Sequence, residues 1–220
     1  MGKTVRRRVL RVRVPDAAES RADLLAVEEP LEIRVDDSPL TVTMRTPGDD
    51  IDLAAGFLFT EGLLRSPADI REIRMCDDNV AAVTMRTELV LAGVGVNGAD
   101  APDRVSSGHR NFMMTSACGV CGKDSIEAIR VKSRFDVRPD PVRVAPALLA
   151  ELPDRLRAAQ RVFASTGGLH AAGLFAADGT LLVLREDVGR HNAVDKVIGW
   201  ALRTDRLPLA GCVLLVSGRA

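Results

Sequence analysis

Two cysteines near the middle of the chain are the residues best suited to chemistry. Cys118 and Cys121 lie in the segment Cys-Gly-Val-Cys-Gly-Lys, which leads into a helix predicted over residues 125–129. This spacing lets one thiol reach a group bound to the other. Gly119 and Gly122 lack side-chain bulk and tolerate positive φ, so a large partner could approach the sulfurs closely. The pair could carry electrons, a metal ion or a sulfur atom.

A redox-active dithiol of the thioredoxin type is the first alternative. The beginning of a helix lowers the pKa of a thiol, and Cys-Gly-Val-Cys resembles the motif of such proteins. A thioredoxin module has its motif early, after a first buried strand, whereas more than a hundred residues precede Cys118 here. The position of the motif therefore disfavours a general dithiol oxidoreductase.

A zinc site is the second alternative, because Cys-x-x-Cys supplies half of a common tetrahedral ligand set. The other half is missing from the pattern, since the remaining cysteines and the histidines are scattered singly. A zinc-dependent deaminase would also need an upstream glutamate motif and a proline before the first cysteine. The singly scattered cysteines and histidines are Cys76, Cys212, His109, His170 and His191. Ala117 stands where the deaminase proline would be. Cys76 and Cys212 are predicted to be small buried hydrophobic residues.

A persulfide carrier is the third alternative. In such a protein a thiolate takes the outer sulfur of a donor persulfide and later passes it to an acceptor. This chemistry requires an accessible cysteine, and a second thiol nearby can assist the release. Lys123 and the following helix N-terminus would favour the thiolate form.

Several segments resemble one known family. The stretch NFMMTSACGVCGK (111–123), followed by SIEAI (125–129), is similar to the signature of the FdhD family, the formate dehydrogenase accessory sulfur carriers. Further segments that resemble the family are PGDD (47–50), AGFLFTEG (55–62), TGGLHAA (166–172), REDVGRHNAVDK (185–196) and SGR (217–219). The resemblance covers most of the chain from residue 47 onward.

This resemblance implies a sulfurtransferase of the persulfide carrier type. Such a protein accepts sulfur from a cysteine desulfurase on the CxxC motif. It passes the sulfur to the molybdenum cofactor, in its bis-molybdopterin guanine dinucleotide form, before the cofactor enters formate dehydrogenase. The resemblance also implies a cytoplasmic homodimer. An alternative is a non-catalytic chaperone that binds and delivers the cofactor, with the thiols serving only as a contact.

The candidate site residues follow from these implications. Cys118 and Cys121 are the predicted catalytic residues, with Cys118 favoured as the carrying thiol on the resemblance alone. Phosphate could bind at a predicted helix N-terminus, where free N–H groups, an arginine and an imidazole come together, although Asn192 could simply cap that helix. Asp187 could orient Arg190 or His191. The predicted cofactor-binding residues are His170, Asp187, Gly189, Arg190, His191, Gly218 and Arg219.

The composition indicates a soluble globular protein. The chain has 220 residues, 46% of them hydrophobic, and a formal net charge of zero. Its apolar runs are too short for a membrane helix, and the basic N-terminus does not have the pattern of a signal peptide. The N-terminal arginines are interpreted as a solvated strand edge rather than a nucleic-acid patch, since acidic residues balance them elsewhere. Four cysteines without a targeting signal predict a reducing cytoplasmic compartment.

The hydrophobic pattern predicts a mixed α/β (α+β) protein in two parts. Residues 1–105 form a smaller β-rich part with one helix, and residues 106–220 contain the CxxC loop and a cytidine-deaminase-like domain, which the resemblance implies. Strands are predicted over residues 5–14, 31–35, 40–44, 80–85, 89–96, 169–176, 181–184 and 212–217, the last of the buried type; helices over 53–62, 146–163 and 192–202; a short helical turn over 66–69; and a loop over 97–111. The family continues beyond its Ser-Gly-Arg turn, so the C-terminus is expected to be incomplete.

Overall fold

The computed structural model describes residues 2–15, 17–86, 135–136 and 138–218, and the backbone alone of 112–114. Within these residues it has four α-helices and ten strands. The strands are β1 (Thr4–Arg13), β2 (Ala17–Ala26), β3 (Glu29–Val35), β4 (Ser38–Arg45), β5 (Ile70–Asp77), β6 (Val80–Met85), β7 (Phe112–Met114), β8 (His170–Ala176), β9 (Leu181–Asp187) and β10 (Cys212–Val216). The helices are α1 (Asp50–Thr60), α2 (Pro146–Ala159), α3 (Arg161–Thr166) and α4 (Arg190–Arg203), with a 3₁₀ turn at Pro67–Asp69.

A five-stranded sheet has the order β5-β6-β3-β4-β7. Its centre is the predicted hairpin of β3 and β4, which is confirmed, with Asp36 and Asp37 at positive φ in the turn. β3 pairs with β6 and β4 with β7 in parallel, whereas β5 pairs with β6 in antiparallel. Helix α1 buries Leu53 and Leu58 against this sheet, including Ile33. These apolar contacts form the first core.

A three-stranded antiparallel sheet has the order β10-β8-β9. The predicted hairpin around Asp178-Gly179 is confirmed as the β8–β9 connection. Helix α4 packs on one face of this sheet through Ala193 and Val197, and α2 packs on the other through Leu152 and Leu156. The mixed α/β class is thereby confirmed, while the cytidine-deaminase-like fold stays a prediction.

Helices α1 and α4 cross at two glycines. A Cβ atom at Gly56 would collide with the backbone oxygen of Asp195, and one at Gly199 would collide with the backbone oxygen of Asp52. Only glycine therefore permits this approach of the two backbones. The crossing joins the two predicted parts, and β7, which follows the predicted boundary, hydrogen-bonds with β4 in the sheet of the first part. The division at residues 105 and 106 stays a prediction.

The predicted helix over 146–163 is interrupted at Gln160, which separates α2 from α3. The side chain of Glu186 on β9 accepts hydrogen bonds from the backbone N–H groups of Val162 (3.0 Å) and Phe163 (2.7 Å) at the start of α3. Because these two donors have no partner inside a helix that starts here, the carboxylate stabilises the break. A residue distant in sequence thus ends one helix and begins another.

Strands β2, β5 and β7 were not predicted, and two other predictions are wrong. Cys76 is exposed and Cys212 is half-buried, so they are not both buried hydrophobic residues. Strand β10 lies at a sheet edge, where Leu214 is 40% and Val216 is 36% exposed, so it is not of the buried type. No helix in the described parts of the chain is long and apolar enough to cross a membrane.

Candidate functional site

Four predicted site residues meet at one end of the three-stranded sheet. In the register of the sheet, His170 at the start of β8 lies opposite Asp187 at the end of β9. Ser217, just after β10, donates its backbone N–H to Ala171 O and accepts the Ala171 N–H with its Oγ, both at 2.8 Å. Helix α4 begins directly after β9. The four residues are His170 and Gly218, which lie at this end of the sheet, and Arg190 and His191, which begin α4.

Asp187 lies beneath this surface and is completely buried. Its Oδ1 accepts from the Gly189 N–H at 2.8 Å and from Asn192 Nδ2 at 3.2 Å. Its Oδ2 accepts from the Thr46 N–H at 3.1 Å and forms an ion pair with Lys196 Nζ at 2.7 Å. With these partners and no exposed surface, the carboxylate holds the start of α4 and the end of β4 together. The predicted cofactor contact of Asp187 stays a prediction.

The buried partners of Asp187 attach the end of β4 to α4. Lys196 Nζ, also completely buried, donates to Thr46 O at 2.8 Å, and the Val188 N–H donates to Thr46 Oγ1 at 3.2 Å. Asn192 Nδ2 donates to Met44 O at 2.8 Å. Asn192 thus reaches across to β4, and the N-cap of α4 is Gly189, which has no side-chain cap.

Sequence reasoning missed Thr46 and Lys196 as parts of this arrangement. They are 141 and 9 positions from Asp187 along the chain, so no local spacing connects all three. The one available signal was their position inside two of the family-like segments, next to PGDD and at the end of REDVGRHNAVDK.

Strand β7 relates this site to the two cysteines. Met114 pairs with Thr43, and β7 runs parallel to β4. The last residue of β7 therefore lies at the same end of the sheet as Thr46, which directly follows β4. Cys118 follows Met114 by four residues, and an extended chain of that length spans at most about 14 Å. Cys118 and Cys121 themselves lie outside the described residues, as do Arg219 and the predicted elements over 89–96, 97–111 and 125–129.

The N-terminus of α4 has the electrostatics of an anion site. The first turn contains Arg190 and His191 and no acidic residue. Burial, and secondarily the charge of Arg190, lowers the pKa of His191 below its usual value. His191 is therefore neutral at neutral pH and can donate or accept a hydrogen bond. The helix dipole and the unpaired N–H groups of a first turn attract phosphate oxygens.

The two remaining residues border the same surface. His170 is half-buried, and its Nδ1 lies 3.5 Å from Ser217 Oγ. Gly218 is exposed, with open space around the position of a Cβ atom. Within the described residues, no three His, Cys, Asp or Glu side chains come together in a way that could hold a metal ion. Arginine, imidazole and helix N–H groups fit the phosphates of a dinucleotide.

Comparisons with known proteins place this chain among relatives. The family model for the FdhD/NarQ family matches residues 26–220. The curated sulfur carrier protein FdhD of Mycolicibacterium paratuberculosis is 54% identical over all of this chain and 79% of the relative, and that of Streptomyces coelicolor is 52% identical over all of this chain and 77% of the relative.

A solved structure supports the fold. The crystal structure of a proposed formate dehydrogenase accessory protein from Desulfotalea psychrophila superposes with a TM-score of 0.70 at 23% identity, and the match covers 99% of this chain and 75% of that one. At that identity the likeness speaks for the fold alone. The family match and the identity of the curated relatives go further, and they establish that this chain belongs to the FdhD/NarQ family.

Proposed function

We propose that this protein is a sulfur carrier of the persulfide type, which loads sulfur on Cys118 with Cys121 as its helper and passes it to a molybdenum cofactor destined for formate dehydrogenase. The observation that supports this most directly is the path of the chain. Strand β7 ends beside Thr43, four residues before Cys118. This is the end of the sheet at which the N-terminus of α4, the proposed phosphate surface, lies. A thiol on that tether can meet an acceptor bound at α4.

Loading requires no oxidant or reductant. The Cys118 thiolate attacks the outer sulfur of a donor cysteine persulfide, a new S–S bond forms as the donor S–S bond breaks, and the donor cysteine leaves as a thiolate. We propose that the protein carrying this donor persulfide is a cysteine desulfurase. Release of the carried sulfur uses the second thiol as the attacking group. Cys121 attacks Cys118 Sγ, a disulfide forms, and the outer sulfur leaves as sulfide, after which a cellular thiol reductant restores the pair.

The acceptor is a substrate that this chain binds and orients. Arg190, the α4 N-terminus and His191 hold the phosphates of a guanine dinucleotide, and His170 and Gly218 border them. The acceptor supplies the metal that takes up the sulfide. The buried Asp187 and Lys196 fix the turn that presents these groups, so that binding and sulfur delivery occur at one edge of the sheet.

One observation favours a second candidate function, a chaperone that only binds and delivers the cofactor. Arg190, His191 and the N-terminus of α4 suit phosphate by charge and hydrogen bonding, so binding alone does not need a thiol. Under both functions we propose work in the reducing cytoplasm, as a homodimer.

Intact-mass measurement separates the two functions. The protein is incubated with a cysteine desulfurase and cysteine, and we expect one added sulfur that a reducing agent removes. Cys118→Ala abolishes the gain, and Cys121→Ala retains loading but slows release. Cys76→Ala is the matched control, because Cys76 is exposed and remote from this edge in the sequence. A wild-type protein that binds guanosine diphosphate but gains no sulfur would contradict the carrier function and leave the chaperone.

A further inference from the structure

The β1–β2 hairpin, called the arm below, has two faces of different character. Opposite residues of the antiparallel pair share a face. On the first face, called the paired face, Arg7 lies opposite Asp23 and Arg11 lies opposite Glu19. Arg21 on the same face contacts Asp23 at 3.3 Å. The paired face, which also carries Arg13, therefore mixes arginines with carboxylates and holds an ion pair, as expected for a surface that faces water.

The second face, called the open face, carries arginines without carboxylates. Arg6 lies opposite Leu24, Arg8 opposite Ala22, Leu10 opposite Ser20 and Val12 opposite Ala18. Leu10 is 66% and Val12 is 62% exposed, and neither arginine has an ion pair with any residue that the structure describes. The open face thus combines an exposed apolar stripe with two unbalanced positive charges.

Such a face has the composition of an interface rather than of a solvated strand. A contiguous apolar stripe beside arginines marks a site of protein interaction, since leaving it in water forfeits its burial energy. The charges also restrict the occupant. The open face of a second copy would bring arginines against arginines, whereas an apolar patch flanked by carboxylates would complement both features.

The base of the arm is attached beside the candidate site. The Val27 N–H donates to Lys3 O at 3.0 Å, and Lys3 Nζ forms an ion pair with Asp49 at 3.0 Å, next to the start of α1. A Cβ added at Gly168, two residues before His170, would lie 3.6 Å from the Cβ of Ala26. A protein held by the arm is therefore held next to the edge where sulfur transfer is proposed.

We infer that the open face docks the protein that donates the sulfur, an inference that rests on the proposed function. Persulfide sulfur is covalently bound to a cysteine of the donor, so the donor must lie against this protein while Cys118 attacks. A small cofactor can arrive by diffusion and needs no such surface. The donor presents an apolar patch flanked by carboxylates, and a cysteine desulfurase is the probe.

The test compares matched pairs of substitutions on the two faces. Leu10→Ser with Val12→Ser, and separately Arg6→Ser with Arg8→Ser, alter the open face. Arg7→Ser with Arg11→Ser alters the paired face by the same chemical change on the same strand. The initial rate of sulfur loading is measured by intact mass, once with cysteine desulfurase and cysteine, and once with glutathione persulfide. Circular dichroism confirms that each variant is folded.

Open-face variants are expected to load about tenfold more slowly from the desulfurase, a loss of about 1.4 kcal/mol in docking. Their loading from glutathione persulfide should equal that of the wild type, as should both rates of the paired-face variant. The wild-type rate should fall as salt is added, and the Arg6→Ser, Arg8→Ser variant should show less of that fall.

Other outcomes overturn the inference in distinguishable ways. Equal desulfurase rates for the open-face variants and the wild type exclude docking on this face. A fall in dimer mass by light scattering, caused by the open-face variants alone, identifies a second copy as the occupant. Binding of the wild type, but not of these variants, to phosphatidylglycerol vesicles identifies a lipid surface instead. Wild-type protein that takes sulfur from neither donor refutes the proposed function itself.

Discussion

Helices α1 and α4 each begin shortly after a strand ends, but the charged residues in their first turns differ. Helix α1 follows β4, and its first turn carries Asp50 and Asp52. Arg45, completely buried, binds Asp50 with Nε at 3.0 Å from Oδ1. Helix α4 follows β9, has Gly189 as its N-cap, and carries Arg190 and His191 in its first turn.

This difference supports the proposal that the N-terminus of α1 is structural and that the N-terminus of α4 binds a ligand. The positive end of the α1 dipole is satisfied by the acidic residues of its own first turn. Among the described residues, the first turn of α4 contains no acid, and the stabilising carboxylate of Asp187 lies beneath the turn and bonds inward. The comparison therefore favours α4 as the anion site.

The largest effect is expected from breaking the ion pair beneath α4. Lys196→Met leaves the carboxylate of Asp187 buried without its cation, which costs about 3 to 5 kcal/mol of unfolding free energy. Urea denaturation measures this loss. Arg45→Met removes the corresponding cation at α1 and should also destabilise the protein, but it should not change the affinity for guanosine diphosphate per folded molecule. If Lys196→Met and Arg45→Met lost affinity for guanosine diphosphate equally, the distinction between the α4 and α1 N-termini would be refuted.

A pH effect is expected where α4 meets the end of α1. Burial, against the opposing hydrogen bond from Thr60 Oγ1 and with smaller contributions from the charges of Glu61 and Asp187, raises the pKa of Asp195 to about 7. The folded protein then holds a proton that the unfolded chain releases above its ordinary value of 3.8. Asp195 therefore contributes stability that is complete below pH 4 and is lost as the pH rises to about 7.

That loss amounts to at most about 4 kcal/mol, and Asp195→Asn should flatten the dependence of unfolding free energy on pH between 4 and 7. Denaturation at several pH values measures it. The control is Asp205→Asn, an exposed carboxylate just after α4. An unchanged pH profile in Asp195→Asn would contradict a raised pKa.

A smaller loss is expected at the crossing that fixes the two helices relative to each other. Gly199→Ala forces a Cβ against the backbone oxygen of Asp52 and should destabilise the protein by about 3 kcal/mol. Gly168→Ala is the control, since its added Cβ would make only an ordinary contact with Ala26. Thermal denaturation compares the two, and similar melting temperatures would show that the crossing is not as close as described.

The smallest effect is expected on the surface of α4 and concerns binding rather than folding. Arg190→Ala should weaken guanosine diphosphate binding about tenfold, since an arginine fork to phosphate is lost. His191→Asp gives α4 the acidic first turn of α1 and should weaken binding further by repulsion. Calorimetry measures both affinities. Arg161→Ala, in the first turn of the six-residue α3, is the control. Unchanged affinity in His191→Asp would remove the basis for the comparison.

Hairpins and the larger helices could be predicted from the sequence because their signals are local. The Asp-Asp turn between β3 and β4, the Asp-Gly turn between β8 and β9 and the apolar spacing of α1 each lie within a few residues. Strand β2 could not be predicted in this way. Its alanine- and leucine-containing sequence has no clear period of two, and it is a strand because β1 pairs with it.

The candidate site was only partly predictable for the same reason. The residues on its surface belong to short motifs at strand ends and a helix start, so His170, Arg190 and His191 could be named from the sequence. The supporting contacts join residues far apart in the chain, such as Thr46 with Asp187 and Asn192 with Met44. No spacing in one sequence encodes such pairs, so the burial of Asp187 could not be foreseen.

The adjacent acids at the end of β9 constrain how the site can move. Successive side chains of a strand point to opposite faces, so Glu186 holds the start of α3 while Asp187 holds α4 and the end of β4. A slip of β9 by one residue would exchange the two carboxylates and break both sets of bonds together. Sliding of β9 therefore costs too much energy to open this edge of the sheet. We expect α3, β9 and the N-terminus of α4 to move as one rigid body when a ligand enters.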